Sequence, residues 1–119
     1  MYTPHFWLPV KITSKHGTVF KIFGVWRGGY LDGDSWRLNS GIKSIEEDDE
    51  YFYVEGYSGS LYKCYKDNQS TTGYGAAVLE DLTRRLKEQG VTLEVIEDIK
   101  NEDSIHVRPT SGVRPGLST

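Results

Sequence analysis

The most constraining feature of this chain is an internal echo at a spacing of 42 residues. Residues 17–23 (GTVFKIF) match residues 59–65 (GSLYKCY) in residue type at every position. Two upstream apolar positions also correspond, Val10 with Phe52 and Ile12 with Val54. Each copy has strand-like residues on both sides of a turn that closes on Gly, which is typical of a β-hairpin. The echo therefore predicts two similar hairpins, whether it arose by duplication or by convergent hairpin chemistry.

The predicted loops, 15–17 and 57–59, set the register of each hairpin. Three-residue loops bring eight side chains to one face of the sheet, as the two-residue period of strands requires. These side chains are Val10, Ile12, Phe20, Ile22, Phe52, Val54, Tyr62 and Cys64. A two-residue loop would mix apolar and charged side chains on that face. Gly17 and Gly59 are then predicted to adopt positive φ in equivalent turns.

The hydrophobic period changes after residue 72, which predicts one amphipathic helix. Apolar side chains recur every four residues at Tyr74, Val78, Leu82 and Leu86. Thr71 or Thr72 can cap the start of the helix, and Gly90 ends it. Alternation over 91–95 predicts a strand directly afterwards, and 105–107 is a predicted short edge strand. We expect the helix to pack on the eight-residue face of the sheet.

The length of 119 residues fits one domain that can bury a core without disulfides or metals. The predicted fold class is α+β: an antiparallel sheet built from two similar β-hairpins plus connecting strands within 35–45, one amphipathic helix packed on one face, and a following short strand. Residues 1–107 form this domain. The Pro, Gly and small polar residues of 108–119 predict a disordered tail.

Composition excludes several classes of protein. No apolar run is long enough for a membrane span, and the N-terminus has no pattern of a signal peptide. The single cysteine, Cys64, favours a cytoplasmic location. A net charge of −3 argues against general duplex DNA binding. Residues 1–31 contain no acid, however, and this keeps a single-stranded nucleic-acid function open.

Candidate nucleophiles have a simpler structural interpretation. The GYSGS segment at 56–60 lacks the G-x-S-x-G spacing of a serine-nucleophile turn and leads into a strand instead of a helix. Cys64 falls on the predicted core face, which favours a buried and inert thiol over a nucleophile. The three histidines that could serve it as a base are scattered at His5, His16 and His106. We therefore expect a protein that is not an enzyme, with a small hydrolase as a remaining alternative.

No metal site or cofactor is predicted. The acidic run 46–50 lacks the alternating ligands, the Gly and the distant Glu of a calcium loop. The Asp-Gly-Asp at 32–34 fits a solvated turn. The histidine positions have no metal-ligand spacing, and no glycine-rich phosphate loop precedes a helix.

The second face of the sheet is less easily explained, because it is aromatic and aliphatic with lysines between. The predicted binding residues on it are Phe23, Tyr51, Tyr53, Lys63 and Tyr65. The three tryptophans at 7, 26 and 36 can extend it. A closed barrel, a second subunit or a binding partner can each cover such a face.

The sequence therefore predicts a small non-enzymatic binding or interaction protein that acts through this aromatic–lysine face. Its partner is expected to be another protein or a second copy of the chain, and an accessory role in a bacterium or phage fits its size. The alternative is a single-stranded nucleic-acid-binding module, since aromatic side chains with interleaved cations stack bases. We expect no membrane partner.

Overall fold

The computed structural model describes residues 1–28 and 33–110 and confirms the α+β class. One helix, α1 (Gly73–Glu88), accompanies eight strands: β1 (Phe6–Ser14), β2 (Gly17–Trp26), β3 (Ser35–Leu38), β4 (Ser44–Glu47), β5 (Tyr51–Glu55), β6 (Leu61–Tyr65), β7 (Thr92–Val95) and β8 (Val107–Pro109). Short 3-10 helices span Lys66–Asn68 and Ile99–Asn101. The strands divide into a first sheet, β3-β2-β1-β7, and a second sheet, β6-β5-β4-β8. All pairings are antiparallel except the parallel β4–β8 pair.

The molecule has three layers, with the first sheet in the middle. One face of the first sheet packs on the second sheet through an inter-sheet core that includes Trp7, Ile22, Phe52 and Cys64. The opposite face packs on α1 through a helix-side core. The buried residues of the helix-side core are Val10, Phe23, Val25, Leu79 and Leu93. The first sheet is therefore apolar on both faces.

The first hairpin differs from its predicted register by one residue. Ser14 pairs with Gly17 and Val10 pairs with Lys21, so the loop has two residues, 15 and 16. Val10 consequently faces the helix, and Ile22 faces the second sheet. The predicted grouping of these two side chains on one face is wrong. A one-residue slip exchanges the two faces of a strand, and burial on both sides leaves the apolar pattern unable to choose between them.

The second hairpin has its predicted register. Phe52 pairs with Cys64 and Val54 pairs with Tyr62, and all four side chains are buried in the inter-sheet core. Gly59 has the predicted positive φ of 90°. Gly17 also has positive φ, at 124°, but it lies in a strand pair instead of a loop, so the two turns are not equivalent.

Helix α1 starts and stops where its sequence predicts. Thr72 is the N-cap, and its Oγ1 accepts a hydrogen bond from the Gly75 backbone N–H at 3.1 Å. Gly90, with φ of 78°, follows the last turn. The helix packs on only part of the predicted eight-residue face. Because the register of the first hairpin splits that set of side chains, α1 covers Val10 from it together with Phe23, which was predicted on the other face.

The C-terminal boundary of the folded domain lies beyond the predicted residue 107. Arg108 and Pro109 belong to β8, and the Thr110 N–H donates to the Glu47 carbonyl oxygen at 2.9 Å. The predicted tail therefore cannot begin at Arg108. The remainder of that tail, 111–119, lies outside the described residues, as does Asp32 of the predicted 32–34 turn.

The N-terminal segment joins the two sheets. Tyr2 lies beside β6, where its N–H donates to the Leu61 carbonyl oxygen and its own carbonyl oxygen accepts from the Lys63 N–H, both at 2.8 Å. The chain then enters β1 of the first sheet, and the indole Nε1 of Trp7 donates to the Tyr65 carbonyl oxygen at 2.7 Å. These contacts satisfy three backbone groups of β6, which is the edge strand of the second sheet.

Asn39, the one buried polar side chain among the described residues, lies at the crossover from β3 to β4. It is 3% exposed, and its Oδ1 accepts from the Ile22 N–H at 2.8 Å and from the Gly41 N–H at 3.3 Å. Its Nδ2 donates to the Gly41 carbonyl oxygen at 3.2 Å. The side chain thereby substitutes for strand pairing where the chain leaves the first sheet for the second.

Candidate functional site

Phe23 does not belong to the predicted surface. It is fully buried between the first sheet and α1, where its ring stacks on Trp36 with centroids 5.8 Å apart. Trp7 is fully buried in the inter-sheet core, and Trp26 packs against that core. The predicted extension of the face by tryptophans is therefore also wrong. The cause is the shifted register of the first hairpin, which turns Phe23 toward the helix.

The other four predicted residues share the outer face of the second sheet, and we call them the tyrosine cluster: Tyr51, Tyr53, Lys63 and Tyr65. Tyr51 pairs with Tyr65 and Tyr53 pairs with Lys63 across β5 and β6. Ring centroids of Tyr51 and Tyr65 lie 5.2 Å apart, and those of Tyr51 and Tyr53 lie 6.1 Å apart. The Lys63 Nζ sits 4.3 Å from the centre of the Tyr51 ring, within cation–π range. The sheet pairing thus gathers these side chains into one contiguous patch.

Tyr53 anchors the cluster to the β4–β5 turn. It is 7% exposed, and its hydroxyl donates to Asp48 Oδ2 at 2.8 Å. Asp48 Oδ1 also accepts from the N–H groups of Glu50 and Tyr51, at 2.9 and 2.7 Å. Partial burial raises the pKa of Asp48, but these three hydrogen bonds to the carboxylate outweigh it, so its pKa lies below the usual value. The charged carboxylate therefore fixes both the turn and Tyr53.

Acidic groups surround the cluster. The Asp67 carboxylate beside Tyr65 raises the pKa of its phenol, with a smaller contribution from Glu50. Further along, the single carboxylate of Glu47 accepts from both Lys66 and Lys100, each at 2.7 Å. Carboxylates therefore lie beside Tyr53 and Tyr65, and the Lys66 ammonium is close enough to act on Asp48 as well.

The cluster continues into a groove of about 400 Å³ at the start of β1. Tyr51 and Tyr65 line the groove, and Pro4 and Phe6 contribute further apolar surface to it. The Arg27 guanidinium also lines the groove and lies 5.0 Å from the centre of the Phe6 ring. Phe6 and Arg27 were not predicted as site residues. Phe6 begins β1 and Arg27 follows β2, and no local sequence pattern shows that the two sheets meet at this groove.

Candidate catalytic groups are not assembled. Cys64 is buried as predicted, with no exposed surface, and burial raises the pKa of its thiol. Nδ1 of His5 accepts from the Arg27 backbone N–H at 2.7 Å, and His16 lies in the first hairpin loop. Ser58 and Ser60 hydroxyls share a hydrogen bond at 3.0 Å within the second loop. Among residues 1–28 and 33–110, no three His, Cys, Asp or Glu side chains are placed to hold a metal ion.

Comparison with protein-family models, with curated proteins and with solved structures finds no match to this chain. Within the described part of the chain, no helix is long and apolar enough to cross a membrane.

Proposed function

We propose that this protein is a non-enzymatic binding module whose tyrosine cluster and adjoining groove take up an extended segment of a partner protein. The observation that carries the proposal is the packing of Tyr51 and Tyr65, which contribute to the outer face and to the groove wall at once. Tyrosines in such a setting supply large contact area at low conformational cost. The groove gives that contact a direction along which a peptide can lie.

Charge supports a polypeptide over a nucleic acid. Asp48, Glu50 and Asp67 lie next to the tyrosine rings, and they would repel a phosphate backbone. The same carboxylates favour basic side chains of a peptide beside its apolar ones. Lys63 lies over Tyr51 in cation–π contact, so it serves the packing of the patch.

The placement of the cysteine supports binding over catalysis. A nucleophilic thiol needs a low pKa and an open approach, whereas Cys64 has a raised pKa and no exposed surface. This unpaired cysteine also supports a cytoplasmic location for the protein.

The test selects ligands without assuming a partner. A random peptide library is displayed and panned against the native protein, and the dissociation constants of selected synthetic peptides are measured by calorimetry. The Tyr51→Ala, Tyr65→Ala double variant is expected to weaken binding at least about tenfold, since each residue supplies central contact area. Tyr74→Ala is the matched control, because Tyr74 is a partly exposed tyrosine on the helix layer.

Three results would contradict the proposal. Selected peptides that bind the double variant as tightly as the native protein would place the binding surface elsewhere. Tight, steeply salt-dependent binding of oligo-dT without peptide binding would favour a nucleic-acid module. Self-association in sedimentation experiments that the double variant abolishes would make a second copy of the chain the occupant.

A further inference from the structure

A second concave site lies at a different end of the molecule, where the inter-sheet core opens. It is a cleft of about 480 Å³ between the start of β2, the start of β4 and the segment that leads into β8. Its apolar lining comes from both sheets and from that segment. The apolar residues are Val19, Phe20, Ile42, Ile45 and Ile105. The volume lies within the range of small-molecule sites.

The polar groups of this cleft are cationic or neutral. Lys43, His106 and Arg108 line it together with hydroxyls of Thr18 and Ser104, and the lining contains no carboxylate although the chain has 17 acidic residues. Within the described ranges, none of these three basic side chains forms an ion pair. The Ser44 hydroxyl, also in the lining, already donates to Glu55 Oε1 at 3.2 Å.

Hydrogen bonds within the protein hold the walls of the cleft in place before a ligand binds. The Ile42 N–H donates to the Phe20 carbonyl oxygen at 2.8 Å, and the Lys43 N–H donates to the Glu55 carbonyl oxygen at 2.9 Å. Tyr57, another lining residue, packs so closely on Gly41 that a Cβ there would meet its ring at 2.8 Å. A preformed site loses less conformational entropy on binding.

We propose that this cleft binds an anionic amphiphile, in which a carboxylate is joined to a short aliphatic chain. The chain would occupy the apolar surface between the sheets, and the carboxylate would pair with Lys43 and Arg108, which form no ion pair with any described residue. The cleft is separate from the tyrosine cluster, so this proposal does not depend on the proposed peptide binding.

The test uses octanoate as the probe, with octanol as its neutral counterpart and inorganic phosphate as an anion without a chain. Binding is followed by amide chemical shifts of the isotopically labelled protein. Octanoate is expected to shift the amides of Phe20, Ile42 and Ile105 in a saturable way. The Lys43→Gln, Arg108→Gln double variant is expected to weaken octanoate binding at least about tenfold, because both charge-assisted contacts are lost.

A charge-matched control, Arg84→Gln with Lys87→Gln on α1, is expected to leave octanoate binding unchanged. Lys43→Gln alone provides a milder variant if the double variant has a lowered melting temperature. The proposal is overturned if octanol binds as well as octanoate, if phosphate alone produces the same shifts, or if the control weakens binding as much as the cleft variant. It is also overturned if octanoate shifts only amides outside the cleft.

Discussion

Asn39→Ala is the substitution with the best-defined energetic consequence in this fold. Asn39 is 3% exposed, and truncation removes the acceptor of the Ile22 N–H in the middle of β2. A buried amide left without a partner costs about 1–3 kcal/mol, and each of the two longer bonds to Gly41 adds about 0.5 kcal/mol. We therefore expect the free energy of unfolding to fall by about 2–4 kcal/mol, a large part of the stability of a domain this size.

The assay is urea denaturation of both proteins, followed by circular dichroism. Asn101→Ala is the control, because Asn101 is exposed in a 3-10 helix and its side chain makes no hydrogen bond among the described residues; its effect should stay within about 0.5 kcal/mol. Hydrogen exchange of the Ile22 amide adds a local readout and should accelerate. A loss below about 1 kcal/mol with unchanged exchange at Ile22 would refute the assigned role of Asn39.

Three further predictions concern two core residues and the ion pairs of Glu47. Phe23→Ala should reduce the free energy of unfolding by about 3–5 kcal/mol in denaturant melts, since Phe23 is fully buried. A near-neutral effect would contradict this burial. Cys64 should react with a thiol reagent only as fast as the protein unfolds, so rapid labelling of the native state would contradict its burial. Burial raises the pKa of Glu47, but hydrogen bonds from Lys100 and Lys66 outweigh this, so its folded pKa lies below the usual 4.5. A carboxyl group with a depressed pKa stabilises the fold at pH values above its unfolded pKa, and this stabilisation is lost as the pH falls through its folded pKa. Glu47→Gln should therefore lower the free energy of unfolding by about 1 kcal/mol at pH 7 and by less below about pH 4. Melts at both pH values check this, and an equal loss at each would contradict it.

The sequence predicts those strands and the helix that have one buried face and one outer face, because their apolar period alone then fixes their orientation. β5 and β6 have a core face and an outer face, so their two-residue period alone gives the register that places Phe52 and Cys64 inside. The same parity places Tyr51 and Tyr65 outside. Helix α1 follows from its period and its Thr72 cap.

The first hairpin could not be predicted in the same way. Both faces of β1 and β2 are buried, one by α1 and one by the second sheet, so either register hides apolar side chains. The predicted register of this hairpin placed Phe23 on the surface, whereas it is buried beneath α1. The groove residues Phe6 and Arg27 were missed for a different reason, since their proximity to Tyr51 depends on how the two sheets meet.

The contacts of Tyr2 with β6 have a consequence for how this chain tolerates shortening. Tyr2 occupies the donor and acceptor positions that an edge strand otherwise offers to a neighbouring molecule. Removing residues 1 and 2 would open the Leu61 carbonyl oxygen and the Lys63 N–H on β6, an edge strand. Such a strand templates edge-to-edge assembly, so the truncated protein would fold and then aggregate with rising concentration. We therefore expect the contacts of Tyr2 with β6 to limit edge-to-edge pairing between molecules.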